Sequence, residues 1–284
     1  METVAIVGVG LIGASFGLAL RKTGFAGEII GVSSDAAIAA GLKRGAISQA
    51  GSLEKAATAA DLIYLAQPVE RILETIPRLT HFVRSGQLVT DAGSTKQAIV
   101  DCGEAHLPPG TFLGGHPIAG KEQRGPEAAD AELFHNHPYV LTPNGVTPNN
   151  PQSETLRKTI GAFGAHILEM TPAEHDHTLA FTSHLPQLLS TALAATLAQE
   201  HEDRLGQVLG TGLLDMTRLA LSSLELWESI LLTNKSDVQL AIDSLVKVLL
   251  GLRANLGERE MANTFEMASK FASSIRKPQP DKST

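Results

Sequence analysis

Four clusters of polar residues stand where packing alone does not call for them. Asp91-Ala92-Gly93-Ser94-Thr95-Lys96 follows one apolar run, and Gly114-Gly115-His116-Pro117-Ile118-Ala119-Gly120-Lys121-Glu122 follows another. A histidine set between glycines and a proline belongs to a shaped loop, and an imidazole titrates close enough to neutrality to serve as a general base. The bland alternative is a solvated loop histidine. The third cluster is Glu174-His175-Asp176-His177 with Ser183-His184-Leu185-Pro186 after it. His177 and His184 are seven residues apart, which puts them on one face of a continuous helix. The fourth, Asp215-Met216-Thr217-Arg218, interrupts an apolar stretch. Its arginine either forms a buried ion pair with Asp215 or clamps a carboxylate with its planar fork. No acidic or thiol set completes a metal site around these histidines, so no metal is expected.

A fifth string points to a nucleotide. Gly8-Val9-Gly10-Leu11-Ile12-Gly13 joins the apolar run Val4–Val9 to the helical segment Leu11–Thr23. In that setting the first glycine permits a tight turn, the second lets backbone approach a pyrophosphate, and the third allows close helix–strand packing. The helix start then offers unpaired N–H groups to the phosphates. Candidate cofactor contacts are Gly8, Gly10, Leu11, Ile12 and Gly13, with Ser33, Ser34 and Asp35 at the end of the second strand and Pro68 after the run Leu62–Ala66. An NAD enzyme usually places Asp or Glu at that second strand end to bond the ribose 2′-hydroxyl. Ser33 takes the position here, which favours NADP over NAD, although no arginine is adjacent and Asp35 lies two residues on.

The elements that must hold these groups follow from punctuation and periodicity. Residues 1–170 contain 21 of the 26 glycines and ten of the 14 prolines, so breakers recur as alternating strands and helices require. Apolar runs at Val4–Val9, Ile29–Val32, Leu62–Ala66, Leu88–Thr90, Thr111–Leu113, Tyr139–Leu141 and His166–Leu168 predict strands, with helices such as Leu11–Thr23, Asp35–Arg44 and Val69–Thr80 between the early ones. Unbroken apolarity suits parallel strands covered on both faces. After Pro109 the connections look short and poor in helix, so that edge of the sheet is expected to be mixed in direction. Residues 171–276 read as helices. Thr171-Pro172-Ala173-Glu174 is a helix start with cap, first-turn proline and reciprocal glutamate. Pro186 should kink or split that helix. Further helices are expected near Arg204–Ser222, Leu224–Thr233, Ser236–Leu256 and Glu258–Ser274, before a polar tail, 277–284, expected to be disordered.

Composition bounds the function. The chain has 284 residues, 43% of them hydrophobic, enough for about two domains with closed cores. A net charge of −7 argues against a nucleic-acid partner, since phosphate binding needs clustered Lys and Arg. The single cysteine, Cys102, cannot form an internal disulfide. No stretch approaches the ~18 apolar residues of a membrane span, and Met1 runs straight into an apolar segment without a basic leader. A cytoplasmic protein without membrane partners is expected.

GVGLIGAS (Gly8–Ser15), DAGSTK (Asp91–Lys96), GGHPIAGKE (Gly114–Glu122), SHLP (Ser183–Pro186), DMTR (Asp215–Arg218) and ELW (Glu225–Trp227) occur in the order found in one family. Together they make the chain resemble the prephenate and arogenate dehydrogenases of tyrosine biosynthesis. The resemblance implies an α/β Rossmann-type dinucleotide-binding domain over residues 1–170 and an all-α helical C-terminal domain over 171–276 that builds a homodimer. It also implies oxidative decarboxylation of a cyclohexadienol: hydride leaves ring C4 for NAD or NADP, the 4-hydroxyl loses its proton, and carbon dioxide departs. On that basis His116 is the expected base and Ser94 a helper that orients the hydroxyl, the imidazole or the nicotinamide amide. Arg218 becomes the carboxylate clamp, His184 and Trp227 line the substrate, and Lys121 adds local positive charge, as Lys96 could if it is not simply a surface lysine. Many members read SHLPH, whereas here Gln187 follows Pro186, which weakens any role for a second histidine there. Glu122 would favour the ammonium of arogenate over prephenate if it faces the pocket, and is otherwise a solvated loop residue. Two other readings stay open: a β-hydroxyacid dehydrogenase or imine reductase, and a nucleotide-binding sensor without turnover.

Overall fold

In the computed structural model, which describes residues 1–143, 151–200 and 205–276, the apolar runs become strands. They are β1 (Thr3–Val7), β2 (Glu28–Val32), β3 (Gln49–Ala50), β4 (Leu62–Leu65), β5 (Leu88–Asp91), β6 (Phe112–Pro117), β7 (Pro138–Thr142) and β8 (His166–Glu169). All lie in one sheet in the order β3-β2-β1-β4-β5-β6-β7-β8. The first six are parallel, β7 runs antiparallel to β6, and β8 is parallel to β7. Helices α1 (Leu11–Lys22), α2 (Asp35–Lys43), α3 (Leu53–Ala59), α4 (Val69–Leu79), α5 (Gln97–His106) and α6 (Pro151–Ala162) connect the strands.

The unbroken apolarity of β1 has a direct cause. Val4 and Ile6 pack on one face with Phe16, Leu20 and Tyr64, while Ala5 and Val7 pack on the other with Ile63, Leu65, Ile72 and Ile76. Both faces are covered, so the buried positions Val4–Val7 are all apolar. Each buried Ile or Leu contributes about 1.5–3 kcal/mol of transfer free energy. Strand order reverses at β1, which has β2 on one side and β4 on the other. The carboxyl ends of β1 and β4 therefore flank the crevice where open α/β sheets bind ligands.

The mixed edge occurs as expected, but with more helix than expected. The connection from β7 to β8 contains α6, twelve residues long, and so returns the chain parallel. Its polar first turns hid it from an apolar-periodicity reading. The two-residue β3 is too short for any pattern to reveal.

After β8 every described element is helical. α7 (Pro172–Leu179) begins with the expected capping box: the Thr171 side chain accepts from the Glu174 N–H, and the Glu174 carboxylate accepts from Thr171 N–H at 2.8 Å. A wide π turn, Ala180–His184, follows, and α8 (Leu185–Gln199) carries Pro186 in its first turn, where proline's missing N–H is harmless. The helix expected over Arg204–Ser222 is a correction. Only α9 (Thr211–Thr217) is α-helical there, with a 3-10 turn, Arg218–Leu221, behind it, because Gly206, Gly210 and Gly212 weaken the segment. α10 (Leu224–Thr233) follows.

Compactness divides the chain at Lys235, into Met1–Lys235 and a second unit from Ser236 onward. The second unit is carried by α11 (Lys235–Ala254) and α12 (Arg259–Ser274). α12 has no buried residue, and its Phe265, Met267 and Phe271 are exposed. Among the described residues no helix is long and apolar enough to cross a membrane. The tail 277–284, expected to be disordered, lies outside the described residues.

Candidate active site

The glycine turn is built as its spacing requires. Gly8 has φ +98°, and a Cβ there would collide with the Ala66 carbonyl. A Cβ on Gly13 would strike the Gly8 carbonyl and Ile6, so only glycine lets α1 close onto β1. Gly10 differs from both: a Cβ there would meet nothing within 4 Å. The N-cap of α1 is Gly10 itself, with no side-chain cap, so the first N–H groups of the helix remain for a ligand. Open space in front of an uncapped helix start fits a dinucleotide pyrophosphate. Ser33 is exposed directly after β2, Ser34 precedes α2 without a side-chain cap bond, Asp35 opens it, and Pro68 precedes α4.

His116 stands near the end of β6, half-buried, with its Nδ1 2.9 Å from Nε2 of His175 on α7. His175 Nδ1 lies 2.7 Å from Oδ1 of Asp176. Asp176 accepts the backbone N–H groups of Lys96 at 2.7 Å and Gln97 at 2.9 Å, where α5 begins. Burial holds His116 well below the usual imidazole range, and neighbouring His175, Lys96 and His184 push the same way. Burial also lowers His175, with Asp176 opposing.

Lys96, expected on the surface, is fully buried. Its ammonium donates to Asp91 and, at 2.8 Å, to the Gly115 carbonyl. Asp91 in turn accepts from Gly93 N–H at 2.8 Å and Gly115 N–H at 3.0 Å. Burial pushes Lys96 down from the usual ammonium range, with Asp91 working against it. This pair braces β5 against β6, one residue from His116. Ser94, between Asp91 and Lys96 in sequence, is half-buried.

His184 closes the π turn. It is buried, packs edge-on to Trp227 of α10 at 5.9 Å, and has Nδ1 3.2 Å from Asn234 Nδ2. Burial pushes its pKa down to about 4, with Asp176 opposing and His175 adding to the fall. The Trp227 Nε1 is a buried donor with no protein acceptor among the described residues. His177 is a correction: the π turn rotates the helix between the two positions, so His177 is exposed beside Phe181 at 5.2 Å while His184 points inward.

Arg218 also departs from one of its two readings. It is no buried partner of Asp215. Its side chain is 60% exposed and meets Glu122, 86% exposed, at 3.5 Å. The segment is held from α8, where Gln187 donates to Leu219 O at 2.9 Å and the Ser190 hydroxyl accepts from Ala220 N–H at 3.0 Å. Gln187 thus supports the turn that carries Arg218. Lys121 is engaged with Asp130 at 2.8 Å, both partly exposed. His116, expected in a shaped loop, is instead a strand residue of β6 paired with Val140 of β7. The loop follows Pro117, and its Lys121 and Glu122 link that strand end to Arg218.

The sequence sets His175 and Asp176 side by side without indicating a part for either, and nothing in it marks Asn234. The available signal was chemical: a His-Asp pair stands in the first turns of the helix that the Thr171 capping box opens. Asn234 carried no such signal. Among the described residues no three His, Cys, Asp or Glu side chains gather as a metal site.

Residues 16–169 match the family model for the prephenate dehydrogenase nucleotide-binding domain, and residues 171–275 match that for the prephenate dehydrogenase dimerization domain. The chain belongs to the prephenate dehydrogenase family. It is 34% identical to the prephenate dehydrogenase of Bacillus subtilis over 93% of this chain and 72% of that protein. Its fold matches a prephenate dehydrogenase from A. aeolicus, solved with hydroxyphenyl propionate and NAD+, with TM-score 0.90 and 31% identity over 97% and 98% of the two chains. It also matches Synechocystis arogenate dehydrogenase, with TM-score 0.83 and 29% identity over 96% and 99%. Membership of this oxidoreductase family sets aside both the hydroxyacid dehydrogenase and the sensor readings.

Proposed function

We propose that this chain oxidatively decarboxylates a cyclohexadienol, arogenate or prephenate, in tyrosine biosynthesis. The single observation that carries the reading is the His116–His175–Asp176 line, which supports an unprotonated imidazole beside a dinucleotide-type crevice. Gly8, Gly10, Leu11, Ile12 and Gly13 would hold the pyrophosphate, and Ser33, Ser34, Asp35 and Pro68 the flanking groups. When bound, the dinucleotide supplies the hydride acceptor. His116, kept neutral by burial, takes the 4-hydroxyl proton as hydride leaves C4 and carbon dioxide departs. Ser94 orients the hydroxyl. His184, Trp227, Lys121 and Arg218 bind the anionic ends, with Arg218 gripping a carboxylate through its fork. In a protein of net charge −7, such local cations must supply the attraction.

Glu122 beside Arg218 sets one charge of each sign together, which matches the ammonium and carboxylate of an arogenate tail. Prephenate is the second reading, favoured by the exposure of Glu122, which leaves it free to turn away. The neutral Ser33 at the end of β2 suits NADP as well as NAD, and NADP is the preferred cofactor in this reading. The exposed apolar residues of the helical part, among them Leu221 and Leu224, suit a homodimer. We place the dinucleotide-binding domain over residues 1–170 and the helical substrate and dimerisation domain over 171–276, in a cytoplasmic enzyme.

Reduction of NAD and NADP by purified protein, with each substrate in turn, tests the reading. Turnover is expected with at least one pair, and His116→Asn should lower kcat by ~10²–10⁴. No turnover of either substrate with either cofactor would refute the proposal.

A further inference from the structure

Asp176, 3% exposed, sits at the root of two separate hydrogen-bond lines. An ionised carboxylate only accepts, and Asp176 already accepts from Lys96 and Gln97 N–H. His175 Nδ1, 2.7 Å from Oδ1, therefore carries a hydrogen. Burial keeps both His175 and His116 neutral, so each ring bears a single N–H. His175 Nε2 is then bare and accepts the hydrogen of His116 Nδ1 across 2.9 Å. This leaves His116 Nε2 with its lone pair, and among the described residues it bonds to no protein group.

The second line leaves from the backbone. The Asp176 carbonyl accepts from Asn234 Nδ2 at 2.7 Å, which fixes which end of that amide donates. The same Nδ2 lies 3.2 Å from His184 Nδ1. An amide nitrogen does not accept, so His184 Nδ1 is bare and its hydrogen is on Nε2.

We propose that Asp176 is a positioning residue that sets opposite tautomers on the two site histidines. Through its carboxylate and His175 it makes His116 Nε2 an acceptor, and through its carbonyl and Asn234 it makes His184 Nε2 a donor. The chemical meaning rests on the dehydrogenase reading: an acceptor takes the hydroxyl proton, and a donor bonds an anionic oxygen of the substrate. As the proton passes from hydroxyl to His116 Nε2, the Nδ1 hydrogen stays in its bond to His175, so the new cation forms already oriented.

Nitrogen-15 NMR of histidine-labelled protein, with ring signals assigned by their loss in His116→Asn and His184→Asn, reads the tautomers directly. The wild type should show Nδ1–H at His116 and Nε2–H at His184. Asp176→Asn leaves one neutral accepting oxygen where the carboxylate served His175 and the Lys96 and Gln97 N–H groups. His175 and with it His116 should then fall into mixed tautomers while His184 stays unchanged, because the carbonyl persists. Asn234→Leu should release His184 alone. With substrate, Asp176→Asn should lower kcat by ~10²–10⁴ with KM little moved, the pattern of a wrong tautomer. If Asp176→Asn does not fold, His175→Phe should leave His116 in mixed tautomers. A wild-type His116 carrying Nε2–H, a His116 unmoved in both variants, or an unchanged kcat in a folded Asp176→Asn protein would overturn the proposal. The NMR readings need neither substrate nor dinucleotide, so an absence of turnover would remove the dehydrogenase reading and leave the tautomer result standing.

Discussion

Around His116 the polar groups are enclosed by protein: Asp91, Lys96, His175, Asp176, His184 and Asn234 are all buried, and each bonds to at least one other group in the structure. Around Arg218 two largely exposed charged side chains meet at 3.5 Å. On the proposed function, the difference follows from what each end does. A proton acceptor has to be aimed, so its surroundings are fixed by bonds that cannot be rearranged cheaply in low dielectric. A binding charge needs only to be near, and a loosely held surface pair can be exchanged without disturbing the core. A family containing both prephenate- and arogenate-named members fits that proposed division, with chemistry held in the interior and preference free to change at the rim.

The contrast can be broken from either side. Lys96→Met should have the largest effect on stability, because it strands a buried Asp91 carboxylate; about 3–5 kcal/mol is expected from denaturant unfolding. A cost below 1 kcal/mol would mean that the interior pair is no more committed than the surface one. Arg218→Ala should leave the unfolding midpoint almost untouched and raise the substrate KM about 10–100-fold, as for a lost charge-assisted bond. A fall in kcat at constant KM would instead assign Arg218 to the chemical step. Glu122→Gln should be the mildest. Exposed pairs contribute about 0–1 kcal/mol, so stability should hold while the arogenate-to-prephenate ratio of kcat/KM falls by a few-fold. An unchanged ratio would remove Glu122 from substrate choice.

Much of this was legible before any coordinates. The runs Val4–Val9 and Leu62–Ala66 gave away the parallel strands because covering both faces forbids alternation. Thr171-Pro172-Ala173-Glu174 marked a helix start by its own local bonds. The glycine spacing 8-10-13 announced a phosphate turn, since each glycine answers a separate steric demand. What stayed hidden depends on distance in sequence. Asp176 reaches Lys96 N–H across 80 positions, and Asn234 reaches Asp176 across 58. No local pattern encodes such partners. Lys96 misled for the same reason: a lysine reads as surface until Asp91 and the Gly115 carbonyl are seen to enclose it. The π turn left no compositional trace, and so the face shared by His177 and His184 was drawn on a regular helix.

That turn has a consequence for how the active site is aimed. At about 100° per residue, nine positions of uninterrupted α-helix would point residues 175 and 184 in opposite directions. The wide turn at Ala180–His184 takes back part of that rotation, so one rod can present both imidazoles to the same interior. Helical regularity is given up over five residues, and the angle recovered there is what lets two rings on a single element work as a pair.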